Sequence, residues 1–458
     1  MAPFKVAIVG GGMTGLAAAL HLDRLDIDFI LLEAYDDIAP EVGASLALYP
    51  NFQRVLDQLG VLDDVYDESA ELCTLTARDI AGKPIFTHHV AEAIHAGADG
   101  YGIRTWTRTQ YLRVLYRNVS EEGKKKIHTS QRVSRIEQLT GDEGVRLHMT
   151  SGEVHLADLV LGADGTHSIV RAEMWRMAEE AGSQVFVGDK GEDAATEFAC
   201  VFGLSDNTGD LRKDHTYQVT GQDMTIGLFG GAKGEACWFI FFKAGEDKRT
   251  SSLDFPRWTP EEGAAVCEKY ADTKLSDKTT FGDVYANRYR VTTQPCPNHS
   301  LRRWHYGRLI CLGDAVAKTN PILAQGGAQG AESVVMLVDH LQHLIKQNDK
   351  VTTAQLEKVL GEVNKKREPR VRESVAKSQQ LIRISAWSTW LFRIIGEWIA
   401  PLLPTWVIVA QALGPWKGAY QSTTLPTPQY AVGRAVASVN EAKAKKPCVE
   451  ATQVSAKT

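Results

Sequence analysis

The chain has 458 residues, a formal net charge of -5 and an isoelectric point near 6.2. That length exceeds one small domain and suffices for two or three layers around a large core, and the mild acidity offers no basic footprint for nucleic acid. Seven cysteines without a C-x-x-C pair point to a reducing, intracellular setting and away from secretion, a disulfide framework or a zinc site.

The first predicted element is the apolar run Val6-Ala7-Ile8-Val9, β-branched and of the kind that forms a buried parallel strand. Gly10, Gly12 and Gly15 follow at the spacing G-x-G-x-x-G. Gly10 permits the tight turn, Gly12 lets a pyrophosphate approach the backbone, and Gly15 lets the next helix pack on the sheet. That helix, predicted from Thr14 to Leu25, aims its N-terminal N–H groups at the phosphates. A second strand, Phe29 to Leu32, ends at Glu33, about 20 residues on, where an acid reaches a ribose hydroxyl. A glutamate there favours a free 2′-hydroxyl, hence FAD or NAD over NADP. The glycines interrupt the first apolar stretch, so it does not read as a secretory signal.

Further along, Phe52 to Leu59 and Tyr111 to Val119 read as helices. Segments from Leu72 to Phe86, Ile127 to Leu139 and Val145 to Met149 read as strands. Leu156 to Leu161 is another apolar strand, followed by Asp164-Gly165-Thr-His-Ser168-Ile-Val-Arg171, a D-G-x-x-S-x-x-R motif at a strand's carboxyl end, where α/β sheets bind ligands. Phe198 to Phe202, Thr216 to Val219, Met224 to Phe229 and Cys237 to Lys243 suggest an antiparallel second domain. Arg308 to Leu312 is a strand, and Gly313-Asp314-Ala315 follows it. Gln325-Gly326-Gly327 opens a helix predicted to run to about Gln347. An acid after a strand can accept from a ribityl hydroxyl, and glycines before a helix can offer N–H groups to a flavin.

Three such motifs in this order resemble those of the FAD-dependent group A aromatic hydroxylases over about residues 4 to 365. The segments Ile38 to Asn51, Leu56 to Gly60, Thr196 to Ser205 and Leu425 to Tyr430 resemble the fungal paxilline-type monooxygenases of secondary metabolism. The resemblance implies an α/β fold with a Rossmann-like, aromatic-hydroxylase-type FAD-binding domain at 1–180 and 291–365. Some strands near 72–100 would join a mostly antiparallel β substrate domain at 181–290. A helical, tryptophan-rich region at 366–437 and a disordered tail at 438–458 complete the expected organisation. It further implies FAD as cofactor, NADPH (or NADH) as reductant, O2 as co-substrate, and epoxidation or hydroxylation of an alkene-bearing terpenoid, meroterpenoid or polyene polyketide.

Carried over residue by residue, the resemblance assigns Glu33 to the adenosine ribose and Ala47 and Arg108 to FAD contacts. Asp164 and Gly165 serve the pyrophosphate and the passing nicotinamide, Asp314 the ribityl chain and Gly327 the isoalloxazine. Tyr217 becomes the catalytic side chain. Three positions depart from the family pattern: Ala317 replaces a histidine, Ala324-Gln-Gly-Gly-Ala328 replaces G-Q-G-A-N, and Ala199 replaces an arginine. Other readings stay open at this point: an NAD-dependent dehydrogenase without flavin, a halogenase (no W-x-W-x-I-P run supports it), or a binding or cyclase-like protein on a flavoprotein fold.

Ile384 to Trp416 is rich in tryptophan, and no charge occurs between Trp398 and Trp416, close to the ~20 residues that span a bilayer. Pro401 and Pro404 interrupt it. Peripheral or monotopic membrane contact through 385–416, facing the cytosol, is expected.

Overall fold

The computed structural model describes residues 3–430 except 42, 44, 193, 207–208, 232–233, 249–252 and 254. The tail expected to be disordered, 438–458, lies outside the described residues.

The strand Lys5–Val9 is the axis of a six-stranded sheet. It pairs in parallel with Asp28–Leu32 on one side and Leu159–Gly162 on the other. Its apolar run is buried on both faces, which is why it lacks the alternation of a half-exposed strand. Leu309–Cys311 extends the sheet in parallel beside Leu159–Gly162, and Ile127–His128 extends it beyond Asp28–Leu32. The crossover from the first strand is the helix Met13–Arg24, whose Leu16-Ala-Ala-Ala-Leu20 stretch is wholly buried. Small residues there let the helix pack between the sheet and the helix Gly326–Gln347. A three-stranded antiparallel sheet, Val133–Gln138, Val145–Met149 and Val154–Ala157, fills the crossover from Ile127–His128 to Leu159–Gly162.

A second sheet has eight strands, ordered Ala317–Lys318, Arg288–Ser300, Ala195–Ser205, Ala236–Lys243, Met224–Gly230, His215–Gly221, Thr74–Asp79 and Pro84–His89. All neighbours are antiparallel except the pair Thr74–Asp79 and His215–Gly221. The boundary expected at 290 falls inside the strand Arg288–Ser300, which stays in this sheet along its length. The boundary expected at 365–366 falls inside the 33-residue helix Thr353–Ser385.

The period of two gives this sheet two apolar faces. On the outer face Val219, Ile226, Leu228, Trp238 and Ile240 meet Cys267, Phe281 and Val284 of the helices Pro260–Lys269 and Phe281–Ala286. On the inner face Phe198, Cys200, Phe202, Phe239, Phe241 and Cys296 pack with Phe229, with Ile322 and with Ile382.

A buried ionic knot fastens the helices behind the first sheet. Glu332 accepts from Arg367 Nη1 at 2.8 Å, Arg370 Nε at 3.1 Å and Asn51 Nδ2 at 2.8 Å. Glu332 and Arg367 are fully buried. Burial pushes the Glu332 carboxyl up, but Arg367 and Arg370 outweigh it and hold the group below its ordinary range. Close by, Asp339 accepts from Tyr420, Ser422, Thr423 and Thr424, so the segment containing LPTPQY is strapped across the helix Gly326–Gln347.

Because the Glu332 carboxyl is lowered in the folded chain, its contribution is present above the unfolded value and is lost as pH falls through the folded one. Glu332→Leu, which orphans buried Arg367, is expected to cost about 3–5 kcal/mol. Glu332→Leu/Arg367→Met should be more stable than Glu332→Leu alone. Denaturant melts between neutral and acid pH check both the order and the flattened pH dependence.

Candidate active site

The site forms where the carboxyl ends of the first sheet's strands run out beneath two bare helix starts. Gly10 sits at φ +101, and a Cβ there would fall 2.6 Å from the Ala163 carbonyl oxygen. A Cβ on Gly15 would fall 1.8 Å from the Gly10 carbonyl oxygen. No side chain caps the helix Met13–Arg24, whose N-cap is Gly12; its first N–H groups are left for an anion. Glu33, nearly buried, accepts from the N–H groups of Gly11 and Tyr35.

Asp164 lies at the end of Leu159–Gly162. Its Oδ2 accepts from Val170 N–H at 3.1 Å, and its Oδ1 has no partner. Burial pushes its carboxyl up, against the pull of the Ser168 hydroxyl and the N–H groups at the start of the next helix. Gly165 has φ +77 with open space beside it. Ser168 caps the helix Ile169–Glu180. Arg171 donates to the Ala315 carbonyl at 2.7 Å and to the Thr166 carbonyl at 2.8 Å. The arginine of the second motif therefore ties it to the third.

Gly313, at φ +64, is so close to the first helix that a Cβ would fall 2.5 Å from Thr14 Oγ1. Asp314 follows and pairs with Lys318. Arg108 opens the helix Arg108–Arg117. Burial lowers its guanidinium, and Asp314 and Glu33 oppose that shift, so this cation lies within the field of both acids. Gly327 meets Met13, where a Cβ would fall 2.1 Å from Cε. Its helix, like the first, has no side-chain cap, and the buried Gln325 Nε2 beside it lacks a partner. Ala324 holds φ +52, keeping the left-handed turn that a glycine would adopt without steric cost.

Gly10, Gly12, Gly15, Glu33, Arg108, Asp164, Gly165, Asp314 and Gly327 thus converge at one edge of the sheet. Ala47 lies on the strand Ser45–Leu48, opposite Thr105 and packed with Val90, Ile94 and Val409. The structure does not bring Tyr217 to this edge. It pairs with Leu228 on the outer face of the eight-stranded sheet, and its hydroxyl accepts from Arg212 N–H at 3.0 Å. Its side chain is packed with the residues that meet the outer helices.

The departures from the family pattern have local accounts. Ala199 is fully buried on the outer face, beside Phe242 and Pro295 in the neighbouring strands. Ala317 is buried where it pairs with Ser300, and Ala328 is buried in its helix. The sequence motifs do not point to Lys318, the partner of Asp314, or to the phenylalanines of the inner face. The alternation Phe239-x-Phe241 is their one signal.

The two uncapped helix starts, the side-chain-free cradle and the acids at Glu33 and Asp314 suit a dinucleotide with a pyrophosphate and two polyol ends. The chain matches the FAD binding domain family over residues 3–376. It is 34% identical to the FAD-dependent monooxygenase terM of Tolypocladium album over 403 residues, covering 87% of this chain and 82% of terM. It is 32% identical to the FAD-dependent monooxygenase aurC of Calcarisporium arbuscula over 401 residues, covering 86% of this chain and 81% of aurC. The chain belongs to the FAD-dependent monooxygenases. The fold agrees: Klebsiella pneumoniae HpxO complexed with FAD and uric acid superposes with a TM-score of 0.70 at 18% identity, covering 90% of this chain and 96% of that one. The p-nitrophenol 4-monooxygenase PnpA of Pseudomonas putida superposes with a TM-score of 0.71 at 19% identity, covering 90% and 98%. FAD is the cofactor of this monooxygenase, and the cradle described above fits it.

Gly15→Val should abolish FAD retention, seen as loss of the visible flavin absorbance in purified protein. Asp314→Asn, which removes a charged acceptor, should weaken FAD binding about tenfold or more, measured by flavin fluorescence titration.

Proposed function

We propose that this monooxygenase uses NADPH or NADH and O2 to epoxidise an apolar, alkene-bearing terpenoid, meroterpenoid or polyene intermediate of fungal secondary metabolism. The observation that carries the reading is the inner face of the eight-stranded sheet. Phe202, Phe229, Phe239 and Phe241 line it, with the Phe239 and Phe241 rings stacked at 5.9 Å and 5°. Ile322, from the turn before the flavin-site helix, packs against the same face, and the Ser45 hydroxyl reaches Cys237 on it.

FAD supplies the electron transfer and dioxygen chemistry when bound. The chain's residues hold and shield it. The N-terminus of Met13–Arg24 would take the pyrophosphate, Glu33 the adenosine ribose, Asp314 the ribityl chain and the start of Gly326–Gln347 the flavin's polar edge, with Arg108 in the field of both acids. The aromatic wall binds hydrocarbon and excludes water. The phenylalanine rings that line this wall offer no acid or base of their own. Burial pushes the Cys200 thiol far above its usual range, so it stays protonated. Oxygen transfer to an alkene needs no proton taken from the substrate, whereas ring hydroxylation of a phenol gains from a base beside the hydroxyl. The wall suits the first reaction. The names of terM and aurC, both from fungi, support the assignment to fungal monooxygenation.

Two variants separate wall from outer face. Phe239→Asp should lower kcat/KM for an apolar polyene roughly tenfold or more, with FAD content unchanged. Tyr217→Phe should leave turnover and coupling within about twofold. Both are followed as substrate-dependent NADPH oxidation with product quantified by mass spectrometry. Equal losses in the two variants would remove the assignment of the inner face.

A further inference from the structure

Half of the exposed large apolar side chains among the described residues, seven of fourteen, gather in one short segment. Trp390 is 74% exposed, Leu391 49%, Ile394 44%, Trp398 71%, Ile399 47%, Leu402 80% and Trp406 70%. They lie on two arms, Trp390–Leu402 and Thr405–Leu413, that meet at an angle of 113°. The break falls at Leu403 and Pro404, just past Pro401, which removes one helical N–H.

The other side of the elbow is well seated. Ile408, Val409, Ala412 and Leu413 pack with Val90, Ile94 and Ile103. Thr405 Oγ1 lies 3.0 Å from His88 Nδ1, and Gly396 is backed by the Trp387 indole. The outward display of tryptophan and leucine therefore belongs to an anchored element and not to a frayed end.

We infer that residues 390–406 are a monotopic anchor, lying in the interface of one leaflet of a phospholipid bilayer with the elbow at Leu402 deepest. The arms, of 13 and 9 residues, are about 20 Å and 14 Å long at 1.5 Å per residue. Neither crosses ~30 Å of hydrocarbon, and their bend lays them along a surface. Among the described residues no single helix is long and apolar enough to span. The chemistry of the patch selects lipid over a protein partner. Between Ser385 and Trp416 the only charges are Arg393 and Glu397, which pair with each other at 2.7 Å. The exposed apolar side chains of the patch are four aliphatic groups and three indoles, Trp390, Trp398 and Trp406, side chains that settle at the headgroup boundary of a bilayer. Because the ion pair is self-neutral and the chain carries -5 overall, insertion is apolar and not steered by anionic lipid.

The test uses full-length, FAD-loaded protein and phosphatidylcholine vesicles. Wild type should co-sediment, with a blue shift in tryptophan emission. Trp390→Ser/Trp398→Ser/Trp406→Ser, and separately Leu402→Asp, should each lower the partition coefficient tenfold or more, with bound FAD and melting temperature unchanged. Labels at residues 388 and 417 should both stay open to an impermeant quencher. Wild type that stays in solution at all lipid concentrations would overturn the inference, as would binding that needs phosphatidylserine and disappears in high salt. A wild-type dimer that the triple variant dissolves, without a change in vesicle binding, would assign the patch to a second copy. Wild type whose patch is covered by residues 431–458, seen as vesicle binding only after their deletion, would overturn it too.

Discussion

The contact between Gly15 and the Gly10 carbonyl is the constraint on which the rest of the molecule depends. With no Cβ at either position, the helix Met13–Arg24 lies directly on the carboxyl end of the first strand. Gly313, Gly327 and Gly330 repeat the device where that helix meets the third motif and the helix Gly326–Gln347. These close approaches draw two uncapped helix starts and three strand ends into one place. Their N–H groups and dipoles favour negative charge, while Glu33 and Asp314 supply acceptors for hydroxyl groups. Arg108 feels the charge of both acids, which oppose the lowering of its guanidinium by burial. The ionic knot of Glu332, Arg367, Arg370 and Asn51 then clamps the helices that carry the site's far wall.

Much of this is legible in the amino-acid sequence alone. Strand, glycines, helix, strand and acid follow one another within some thirty residues, and each has a local physical cause. Asp164 and Asp314 can be placed because an apolar strand ends just before each. The position of Tyr217 cannot. Its strand alternates, with Tyr217 and Val219 on one face and Thr216, Gln218 and Thr220 on the other, which groups Tyr217 with Val219 but leaves open which face looks at the flavin; pairing with Met224–Gly230 and the helices at 260–286 decide that, a long-range matter. The limits of the second unit are likewise hidden, because the expected boundaries fall inside continuous elements: Arg288–Ser300 is one strand of the eight-stranded sheet and Thr353–Ser385 is one helix. The C-terminal tryptophans announce an apolar segment by composition alone. The bend that separates lying on a surface from crossing it depends on where Pro401 and Pro404 break the helix and on what packs beneath it.

The monooxygenase differs from its family pattern at positions where small residues suffice. Ala199 faces the outer helices, Ala328 is internal to its helix, and Ala324 preserves a left-handed turn. None of these changes adds an acid or base to the inner wall. The chemistry is accordingly left to the flavin and its surroundings, and the chain's task is to bind and orient its substrate and to exclude water.

The most direct measurement is turnover under isotopically labelled dioxygen with purified holoprotein, NADPH and a panel of prenylated aromatics and polyenes. The account predicts that one substrate accelerates NADPH oxidation and yields an epoxide carrying one labelled oxygen atom per NADPH consumed. A product with no labelled oxygen, or a flavin-loaded protein that converts the substrate without consuming NADPH, would contradict it.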